Sequence, residues 1–344
     1  MLEKLTQQLT ASRPLADEQV LQAVEQLTNE QIPAMVKADF LAALAQKGET
    51  PEEIAAFARA LRDRSIPPPL DAETRSREIL DVVGTGGDRL STFNISTTVA
   101  ILCAAAGVTV AKHGNRAVTS SVGSADVVEE LGIRVDLSPA DAARSLREHG
   151  FAFFFAPNFH PAFKNIASAR KLCAERGQRT IFNILGPLLN PARPSASLVG
   201  VPRPELCEPM ARALQSLGVR RGMVVCGLAD GRYLDELSTL GANQVAEFYQ
   251  ERGFAISGLA PDNFPVQAAT LAALHGGDKF VNAEIIRRVL RGDERGPKRD
   301  AVLMNAGAAL FVAGKAKSLI GGWDLAVATI DSGKAAAKLA ALAR

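Results

Sequence analysis

The first 64 residues place apolar side chains three and four positions apart, with almost no β-rich runs between them. This period puts the apolar positions on one face of a helix. Helices are predicted over 16–27, 33–46 and 51–62. Thr50 is the expected N-cap of the last helix, with Glu53 completing a capping box. The prolines from Pro67 to Pro69 cannot continue a helix. The pattern therefore predicts a small all-helical N-terminal domain over residues 1–70.

Beyond residue 70, short apolar runs alternate with stretches of helical period. Strands are predicted over 79–83, 108–112, 151–155, 197–201, 223–226 and 244–248. Helices are predicted over 96–106, 125–131 (N-cap Ser124), 139–149, 205–217, 300–313 and within 323–341. A strand–helix–strand order implies parallel neighbours. We expect a larger α/β domain with a mostly parallel central sheet over 71–344. We also expect helices from about 160–182 to join the first domain.

A glycine-rich turn follows the first predicted strand. The apolar run from Ile79 to Val83 breaks at Gly84, Gly86 and Gly87, and helical period resumes near Ser96. Glycines let backbone N–H groups approach an anion, and the N-terminus of a helix adds free donors. The turn is thus either a phosphate cradle or a tight βα turn without a ligand, and its spacing alone leaves both open.

A second polar turn, from His113 to Arg116, follows the second predicted strand of the same unit. Open α/β sheets bind ligands at the carboxyl ends of their strands. Two polar turns at one edge of the sheet indicate a ligand site more strongly than either turn alone.

Composition narrows the class of protein. The formal net charge of +2 is too small to indicate general binding of nucleic acid, which requires a clear excess of positive charge. The four cysteines form no C-x-x-C pair, which argues against a structural zinc site and favours a reducing compartment. Met1 to Thr10 is typical of an amphipathic stretch and not of a signal peptide, and the longest apolar run is too short for a membrane span. We expect a soluble cytoplasmic protein that binds neither nucleic acid nor a membrane.

Several sequence blocks occur here in one order. They are Gly84-Thr-Gly-Gly-Asp88, Asn94-Ile-Ser-Thr97, Lys112-His-Gly-Asn-Arg116, Thr180-Ile-Phe-Asn-Ile-Leu-Gly-Pro187 and Asp235-Glu236. Together they resemble the anthranilate phosphoribosyltransferase family, and Lys47-Gly-Glu-Thr50 and Asp331-Ser-Gly-Lys334 extend the resemblance to nearly the full chain. The resemblance implies that anthranilate attacks C1 of phosphoribosyl pyrophosphate (PRPP), giving phosphoribosylanthranilate and pyrophosphate in tryptophan biosynthesis. It also implies a homodimer formed through the helical domain.

The same resemblance implies two substrate sites and a Mg²⁺ site. The residues implied for PRPP are Gly84, Thr85, Gly86, Gly87, Asp88, Thr92, Asn94, Ile95, Ser96, Thr97, Lys112, Gly114, Asn115, Ser120 and Ser124. Those implied for anthranilate are Gly84, His113, Asn115, Pro157, His160, Arg170 and Gly186. Those implied for Mg²⁺ are Ser96, Asp235 and Glu236. No catalytic general base is implied, because positioning of the substrates and stabilisation of the leaving anion suffice.

Most of these residues have a purely structural alternative. Asn94 and Ser96 are also good helix caps, which is compatible with binding. Asp235 and Glu236 are otherwise typical of a helix N-terminus, where the dipole stabilises carboxylates. Arg170 is otherwise a solvated helical arginine. For Arg89, which follows the glycine motif, a phosphate contact and a solvated loop side chain are equally open.

The residues themselves are also compatible with two other functions. A pyrimidine-nucleoside phosphorylase-like enzyme would share the fold class and the glycine turn. Its reaction, however, would not explain the sequence blocks Lys112–Arg116 and Thr180–Pro187. A non-enzymatic relative that binds nucleic acid would be expected to lose the glycine loop and the acidic pair and to gain basic residues. The near-neutral charge and the intact motifs disfavour it.

Overall fold

Buried apolar runs form the strands of one sheet. The computed structural model of the chain describes residues 1–117 and 122–343. The strands are β1 (Ile79–Gly84), β2 (Thr109–Gly114), β3 (Phe151–Phe155), β4 (Ala196–Gly200), β5 (Arg221–Ala229), β6 (Arg232–Leu234), β7 (Asn243–Tyr249) and β8 (Gly253–Leu259). Their order is β3-β2-β1-β4-β5-β7-β8, and β6 pairs with β5. The pairs from β3 to β5 are parallel and the pairs with β6, β7 and β8 are antiparallel. The predicted mostly parallel sheet is confirmed, and β6 and β8 are additions to it.

The helices flank this sheet and form the N-terminal region. They are α1 (Leu2–Thr10), α2 (Asp17–Thr28), α3 (Ala34–Lys47), α4 (Pro51–Arg62), α5 (Ala72–Ser76), α6 (Ile95–Ala105), α7 (Ser124–Glu130), α8 (Pro139–His149), α9 (Ala156–Phe159), α10 (Lys164–Glu175), α11 (Cys207–Ser216), α12 (Lys279–Arg291), α13 (Pro297–Val312), α14 (Leu319–Asp331) and α15 (Lys334–Leu342). Of the helices in the described ranges, none combines the length and apolar character that a membrane crossing requires. The helical N-terminal region and the α/β class are as predicted, whereas α5, α9 and α12 have no counterpart in the prediction.

Local capping confirms the predicted start of α4. The Thr50 side chain accepts a hydrogen bond from the Glu53 N–H at 3.2 Å, and Glu53 Oε2 accepts one from the Thr50 N–H at 2.9 Å. The same Glu53 oxygen lies 2.6 Å from Lys47 Nζ. A buried carboxylate that satisfies a helix N-terminus and pairs with a lysine ties α3 to α4.

Helix α10 packs against α3, although more than a hundred residues separate them in the chain. Lys37 on α3 is 2% exposed, and its Nζ donates to the Asn29 and Asn165 carbonyls at 2.7 Å each. Asn165 in turn donates to the Thr28 carbonyl at 2.8 Å. Ile166 and Cys173 of α10 belong to the same apolar core as α1 to α4. The domain boundary near residue 70 remains a prediction.

The two faces of the sheet bury different cores. Helix α6 and helices α12 to α15 pack with β-strand residues such as Val82 and Val110 in one core. The N-terminal helices, α10 and α11 pack with Val83 and Val199 in the other. Since β1, β2 and β4 are parallel, their carboxyl ends at Gly84, Gly114 and Gly200 share one edge of the sheet. That edge carries the candidate site.

Candidate active site

A cavity of about 480 Å³ opens at the carboxyl ends of β1 and β2. The residues predicted from the sequence that line it are Gly84, Thr85, Gly86, Asp88, Thr92, Asn94, Ile95, Ser96, Lys112, His113, Gly114, Asn115, Ser124, His160, Arg170, Gly186, Asp235 and Glu236. The strand ends, α10 and the segment after β6 therefore bring together positions that are remote in the chain. This clustering is a fact of the fold, and the role of each residue remains a proposal.

Three predicted residues do not line the cavity. Gly87 turns its carbonyl outward, where it accepts a hydrogen bond from Arg179 at 3.1 Å. Thr97 is 0% exposed on α6, because the helical period turns that position into the core. Pro157 is exposed in the first turn of the short helix α9. Direct contact with a substrate is not supported for these positions, and Ser120 lies outside the described residues.

The glycine loop and the acidic pair form one unit. Asp235 Oδ2 accepts hydrogen bonds from the Gly86 N–H at 2.6 Å and the Thr85 hydroxyl at 3.3 Å. The Asp235 N–H in turn donates to Asp88 Oδ2 at 3.4 Å. Burial, together with the nearby charges of Asp88 and Glu236, raises the pKa of Asp235 well above its usual range. The loop thus converges on a buried carboxylate.

Glycine is required where this acidic segment crosses the sheet. Gly84 and Gly200 are neighbours in the β1–β4 pairing. A Cβ on Gly84 would lie 2.9 Å from Asp235 Oδ2, and one on Gly200 would lie 1.6 Å from the Asp235 carbonyl oxygen. The two glycines therefore create the space in which Asp235 and Glu236 sit.

Glu236 caps helix α6 from outside the helix. Its Oε1 accepts a hydrogen bond from the Ser96 N–H at 3.1 Å, within the first turn of α6. The expected capping by Asn94 is wrong, because its side chain makes no cap bond and accepts from Asn282 at 3.1 Å instead. Burial raises the pKa of Glu236 to about 7, although the positive charge of Lys112 opposes this. A carboxylate of the acidic pair therefore does lie at a helix N-terminus, as the structural alternative expected, but the helix is α6, which is 140 positions away in the sequence.

Lys112 is a buried cation at the end of β2. It is 1% exposed, and its Nζ donates to the Val82 carbonyl at 2.7 Å. Burial lowers the pKa of its ammonium, while the charges of Asp81 and Glu236 oppose that effect. A solvated lysine is therefore ruled out at this position. A strongly desolvated ammonium beside the cavity is suited to an anionic ligand.

Two buried imidazoles mark the other end of the cavity. The ring centroids of His113 and His160 are 5.5 Å apart. His113 Nδ1 lies 3.3 Å from the Gly186 carbonyl, so this nitrogen must be the protonated one. Burial is the main cause that lowers the pKa of His113 to about 3 and that of His160 to about 4. Both rings are therefore neutral near pH 7.

Aromatic rings and Arg170 complete this end. Phe163 packs between His160 and Phe182, with ring centroids 5.1 and 5.8 Å away. The Arg170 guanidinium lies 5.4 Å from the centroid of the Phe182 ring, and burial lowers its pKa. Arg170 is thus half-buried on an aromatic face and not the solvated alternative. An aromatic acid would meet flat apolar walls and a cation here.

The turn after β2 and helix α7 form a further wall. Arg116 pairs with Asp126 at 2.8 Å and with Glu129 at 3.0 Å. The prediction of Ser124 as an N-cap is wrong, because α7 begins at Ser124 and Asp126 accepts the Gly123 N–H at 3.0 Å. A Cβ on Gly114 would lie 2.3 Å from Ser124 Oγ, so this glycine permits the close approach of the two segments.

Some lining residues escaped the sequence-based prediction. Phe163, Phe182 and Asn282 all border the cavity. Phe182 lies within the block from Thr180 to Pro187, so the motif could have indicated it. Asn282 lies on α12, and no local pattern connects it with Asn94, to which it donates a hydrogen bond.

Comparisons with known proteins agree with this architecture. Residues 2–65 match the family described as "Glycosyl transferase family, helical bundle domain" and residues 76–336 match "Glycosyl transferase family, a/b domain". The chain is 43% identical over 350 residues to an anthranilate phosphoribosyltransferase of Geobacter sulfurreducens, covering 98% of this chain and 97% of the relative.

Two solved structures show the same fold. The crystal structure of anthranilate phosphoribosyltransferase from Thermus thermophilus is 42% identical, with a TM-score of 0.89 and 98% of each chain covered. The enzyme from Saccharomyces cerevisiae in complex with PRPP and Mg is 28% identical, with a TM-score of 0.85 and coverage of 98% of this chain and 95% of that chain. The chain therefore belongs to the anthranilate phosphoribosyltransferase family.

Proposed function

We propose that this chain transfers the 5-phosphoribosyl group of PRPP to the amino group of anthranilate, with release of pyrophosphate, in tryptophan biosynthesis. The observation that carries the proposal is a single cavity with two chemically different ends. One end has a glycine loop, a buried lysine and a helix N-terminus, and the other has aromatic walls and an arginine. These ends correspond to the two substrates.

At the first end, the protein would hold the phosphates and stabilise the departing pyrophosphate. Displacement at the ribose carbon C1 builds positive charge on the sugar and negative charge on the leaving group. The ammonium of Lys112 and the N-terminus of α6 supply positive potential at this end. Their contribution is electrostatic, so no general base is needed there.

The residues present fit a magnesium ion. Asp235 and Glu236 are 8% exposed each, and burial, together with the charge of neighbouring Asp88, raises the pKa of both carboxyls, so a bound cation would be favoured here. Among residues 1–117 and 122–343, no group of three or more His, Cys, Asp or Glu side chains is arranged to hold a metal alone. Mg²⁺ commonly takes one or two carboxylates together with substrate phosphates and water. Asp235, Glu236 and Ser96 would hold the ion, which would neutralise charge on the leaving pyrophosphate.

At the second end, Arg170 would pair with the carboxylate of anthranilate, and His160, Phe163 and Phe182 would contact its ring. An aromatic amine is already neutral at pH 7, so its nitrogen is a competent nucleophile once it faces C1. Because both histidines are neutral, they place no second charge beside the ring. Orientation of the two substrates supplies the remaining rate enhancement.

We further propose a cytoplasmic homodimer formed through the helical region. The support is the exposure of apolar side chains there, since Leu21 on α2 is 50% exposed and Met35 on α3 is 47% exposed. Burial of such side chains against a second copy would remove them from water. Light scattering of wild-type protein and of a Leu21→Glu/Met35→Glu variant tests this, and a monomeric wild type would contradict it.

The activity is tested by mixing the protein with PRPP, Mg²⁺ and anthranilate and following the loss of anthranilate fluorescence. We expect decay that requires all three components. Arg170→Lys should raise the KM for anthranilate about tenfold or more and leave the KM for PRPP unchanged, because lysine lacks the planar fork. Arg176→Lys, at the exposed end of the same helix, is the matched control. Absence of decay at high protein concentration would defeat the proposal, and a pyrimidine nucleoside with phosphate would then test phosphorolysis.

A further inference from the structure

A buried polar network lies directly beneath the cavity wall. Asp81 on β1 is 0% exposed, Asn190 is 1% exposed and His113 on β2 is 5% exposed. Ala111 on β2 and Phe154 on β3 belong to an apolar cluster that also includes Ile79 of β1. Burial of a carboxylate in such surroundings is costly unless its oxygens are well bonded. Burial raises the pKa of Asp81 to about 6, although Lys112, Asn190 and the His113 N–H oppose the shift.

Both oxygens of Asp81 accept hydrogen bonds. Oδ1 accepts from the backbone N–H of His113 at 3.3 Å, and Oδ2 accepts from Asn190 Nδ2 at 2.8 Å. Asn190 Nδ2 also donates to the Ala111 carbonyl at 2.7 Å, and its Oδ1 accepts from the Ala192 N–H at 2.9 Å. Asn190 thus joins its own loop to both β1 and β2.

The loop that Asn190 anchors is part of the cavity wall. Gly186, Pro187 and Leu189 line the cavity at its aromatic end. The His113 ring meets the same loop at the Gly186 carbonyl, 3.3 Å from Nδ1. The loop is therefore tied to the sheet at two points, by the His113 ring and by Asn190, and Asp81 contacts both residues.

We infer that Asp81 is a positioning residue for the aromatic-acid end of the site, acting through Asn190 and His113. The inference rests on the proposed function, since it concerns the binding of anthranilate. Asp81 does not line the cavity, so its side chain is not placed to contact a bound substrate directly. It holds the backbone of the second turn and the Gly186–Leu189 wall at a fixed separation, which sets the width of the space for a flat ring.

The strand geometry separates this role from that of Lys112. The β1–β2 register pairs Leu80 with Val110, so Val82 neighbours Lys112 and Asp81 neighbours Ala111. Successive side chains point to opposite faces of a sheet, which places Asp81 and Lys112 on different faces. Lys112 Nζ donates to the Val82 carbonyl, and the charge of Asp81 acts on the ammonium only from the opposite face of the sheet. The hydrogen bonds of Asp81 instead go to the second turn and to the loop at the aromatic end, so we expect Asp81 to affect anthranilate more than PRPP.

The test is Asp81→Asn, which keeps the shape but turns one acceptor into a donor. One of the two donors, the His113 N–H or the Asn190 amide, then loses its partner. We expect the KM for anthranilate to rise about tenfold while the KM for PRPP stays within about twofold. The exchanged pair, Asp81→Asn with Asn190→Asp, restores a donor and an acceptor between these two side chains but removes the donor to the Ala111 carbonyl. It should therefore bring the KM for anthranilate only part of the way back to the wild-type value.

Glu53→Gln is the matched control. Glu53 is also a buried carboxylate with several donors, including the Leu15 N–H at 2.9 Å, but it lies in the helical region away from the cavity. This variant should lower the melting temperature without changing either KM. If Asp81→Asn does not fold, Asn190→Ala removes the same hydrogen bond from the side of the loop. This variant should also raise the KM for anthranilate and leave the KM for PRPP unchanged.

The outcomes separate this inference from the proposed function. Wild-type protein that consumes anthranilate supports the function, whatever the variants do. An unchanged KM for anthranilate in both Asp81→Asn and Asn190→Ala would overturn the positioning role. An equal rise in both KM values, with no recovery in the exchanged pair, would also overturn it, because that result indicates general damage to the fold.

Discussion

The backbone N–H of Gly86 donates a 2.6 Å hydrogen bond to Asp235 Oδ2, across 149 positions of sequence. The glycine loop is therefore held by the same carboxylate that is proposed to face Mg²⁺. Charge-assisted bonds of this kind are short and strong. A cation that binds Asp235 would act on the loop directly, so metal and phosphate binding should be coupled.

Asp235→Asn and Glu236→Gln test the acidic pair. Each amide retains a carbonyl oxygen that can accept the bond from Gly86 or from Ser96, but neither carries the charge that attracts Mg²⁺. We expect the Mg²⁺ concentration for half-maximal activity to rise about tenfold or more. Asp136→Asn, with a side chain 78% exposed on the surface, is the control and should not change it. An unchanged Mg²⁺ dependence in both acidic-pair variants would show that the metal binds elsewhere.

Gly200→Ala should disrupt the site without touching any charged group. The added Cβ would lie 1.6 Å from the Asp235 carbonyl oxygen, which is impossible without movement of the acidic segment. We expect a loss of stability on the order of 3 kcal/mol, together with a loss of activity of about a hundredfold. Gly258→Ala on β8, where the nearest atom is 3.9 Å away, is the control. Denaturant unfolding and the fluorescence assay measure the two effects, and normal activity in Gly200→Ala would contradict this account of the glycine pair.

Arg89 can be tested with two substitutions that differ only in backbone freedom. Its φ is 57°, its carbonyl accepts a bond from Arg232 at 3.1 Å, and its exposed side chain borders the cavity. If the guanidinium contacts pyrophosphate, Arg89→Ala and Arg89→Gly should raise the KM for PRPP by the same several-fold factor. Glycine should give the more stable protein by about 1 kcal/mol, because it adopts a positive φ without strain. A KM for PRPP that stays at the wild-type value in both variants would assign Arg89 to the solvated alternative.

The two buried histidines, His113 and His160, should make the free energy of unfolding depend on pH. Their pKa values in the folded protein, about 3 for His113 and about 4 for His160, lie below the ordinary value of 6.5. At these two rings the unfolded chain therefore binds more protons between pH 6.5 and 4, so the contribution of each histidine to stability is fully present above pH 6.5 and is lost as the pH drops. Between pH 7 and pH 5 each ring should contribute a loss of about 2 kcal/mol.

Denaturant unfolding of His160→Gln at pH 7 and pH 5 checks this expectation. The variant should lose less stability than the wild type over that interval, because glutamine does not titrate. His149→Gln, an exposed position at the end of α8, is the control and should retain the wild-type slope. Equal slopes for His160→Gln and the wild type would mean that the imidazole is already solvated in the folded protein.

The sequence pattern predicted most helices and strands well, because capping and the spacing of apolar residues act over only a few positions of the chain. The capping box of Thr50 and Glu53 involves neighbours in one turn of helix. The glycines at 84 and 114 end strands whose apolar runs are visible in the sequence. The antiparallel strand β8 was missed, since most of its residues are exposed and it has no buried run. Its partner β7 supplies the stabilising contacts.

Local pattern was misleading where a distant group replaced the expected neighbour. Asn94 has the right chemistry for an N-cap, but Glu236 takes that role and Asn94 bonds to Asn282. Thr97 lies inside a matching motif, but the helical period directs it into the core. No local pattern distinguishes Asp81 within the apolar run from Ile79 to Val83, and only its bond to Asn190 shows its significance.

By itself, the sequence determined the helical and α/β regions, the parallel sheet and the two polar turns, because period, capping and chain breaks act over a few residues. It also indicated the family through the order of its motifs. Only the tertiary structure decided which oxygen meets which donor. The bonds from Asp235 to Gly86, from Glu236 to Ser96 and from Asp81 to Asn190 each join segments more than a hundred residues apart. Such contacts depend on strand order and on the space left by glycines, which no local pattern specifies.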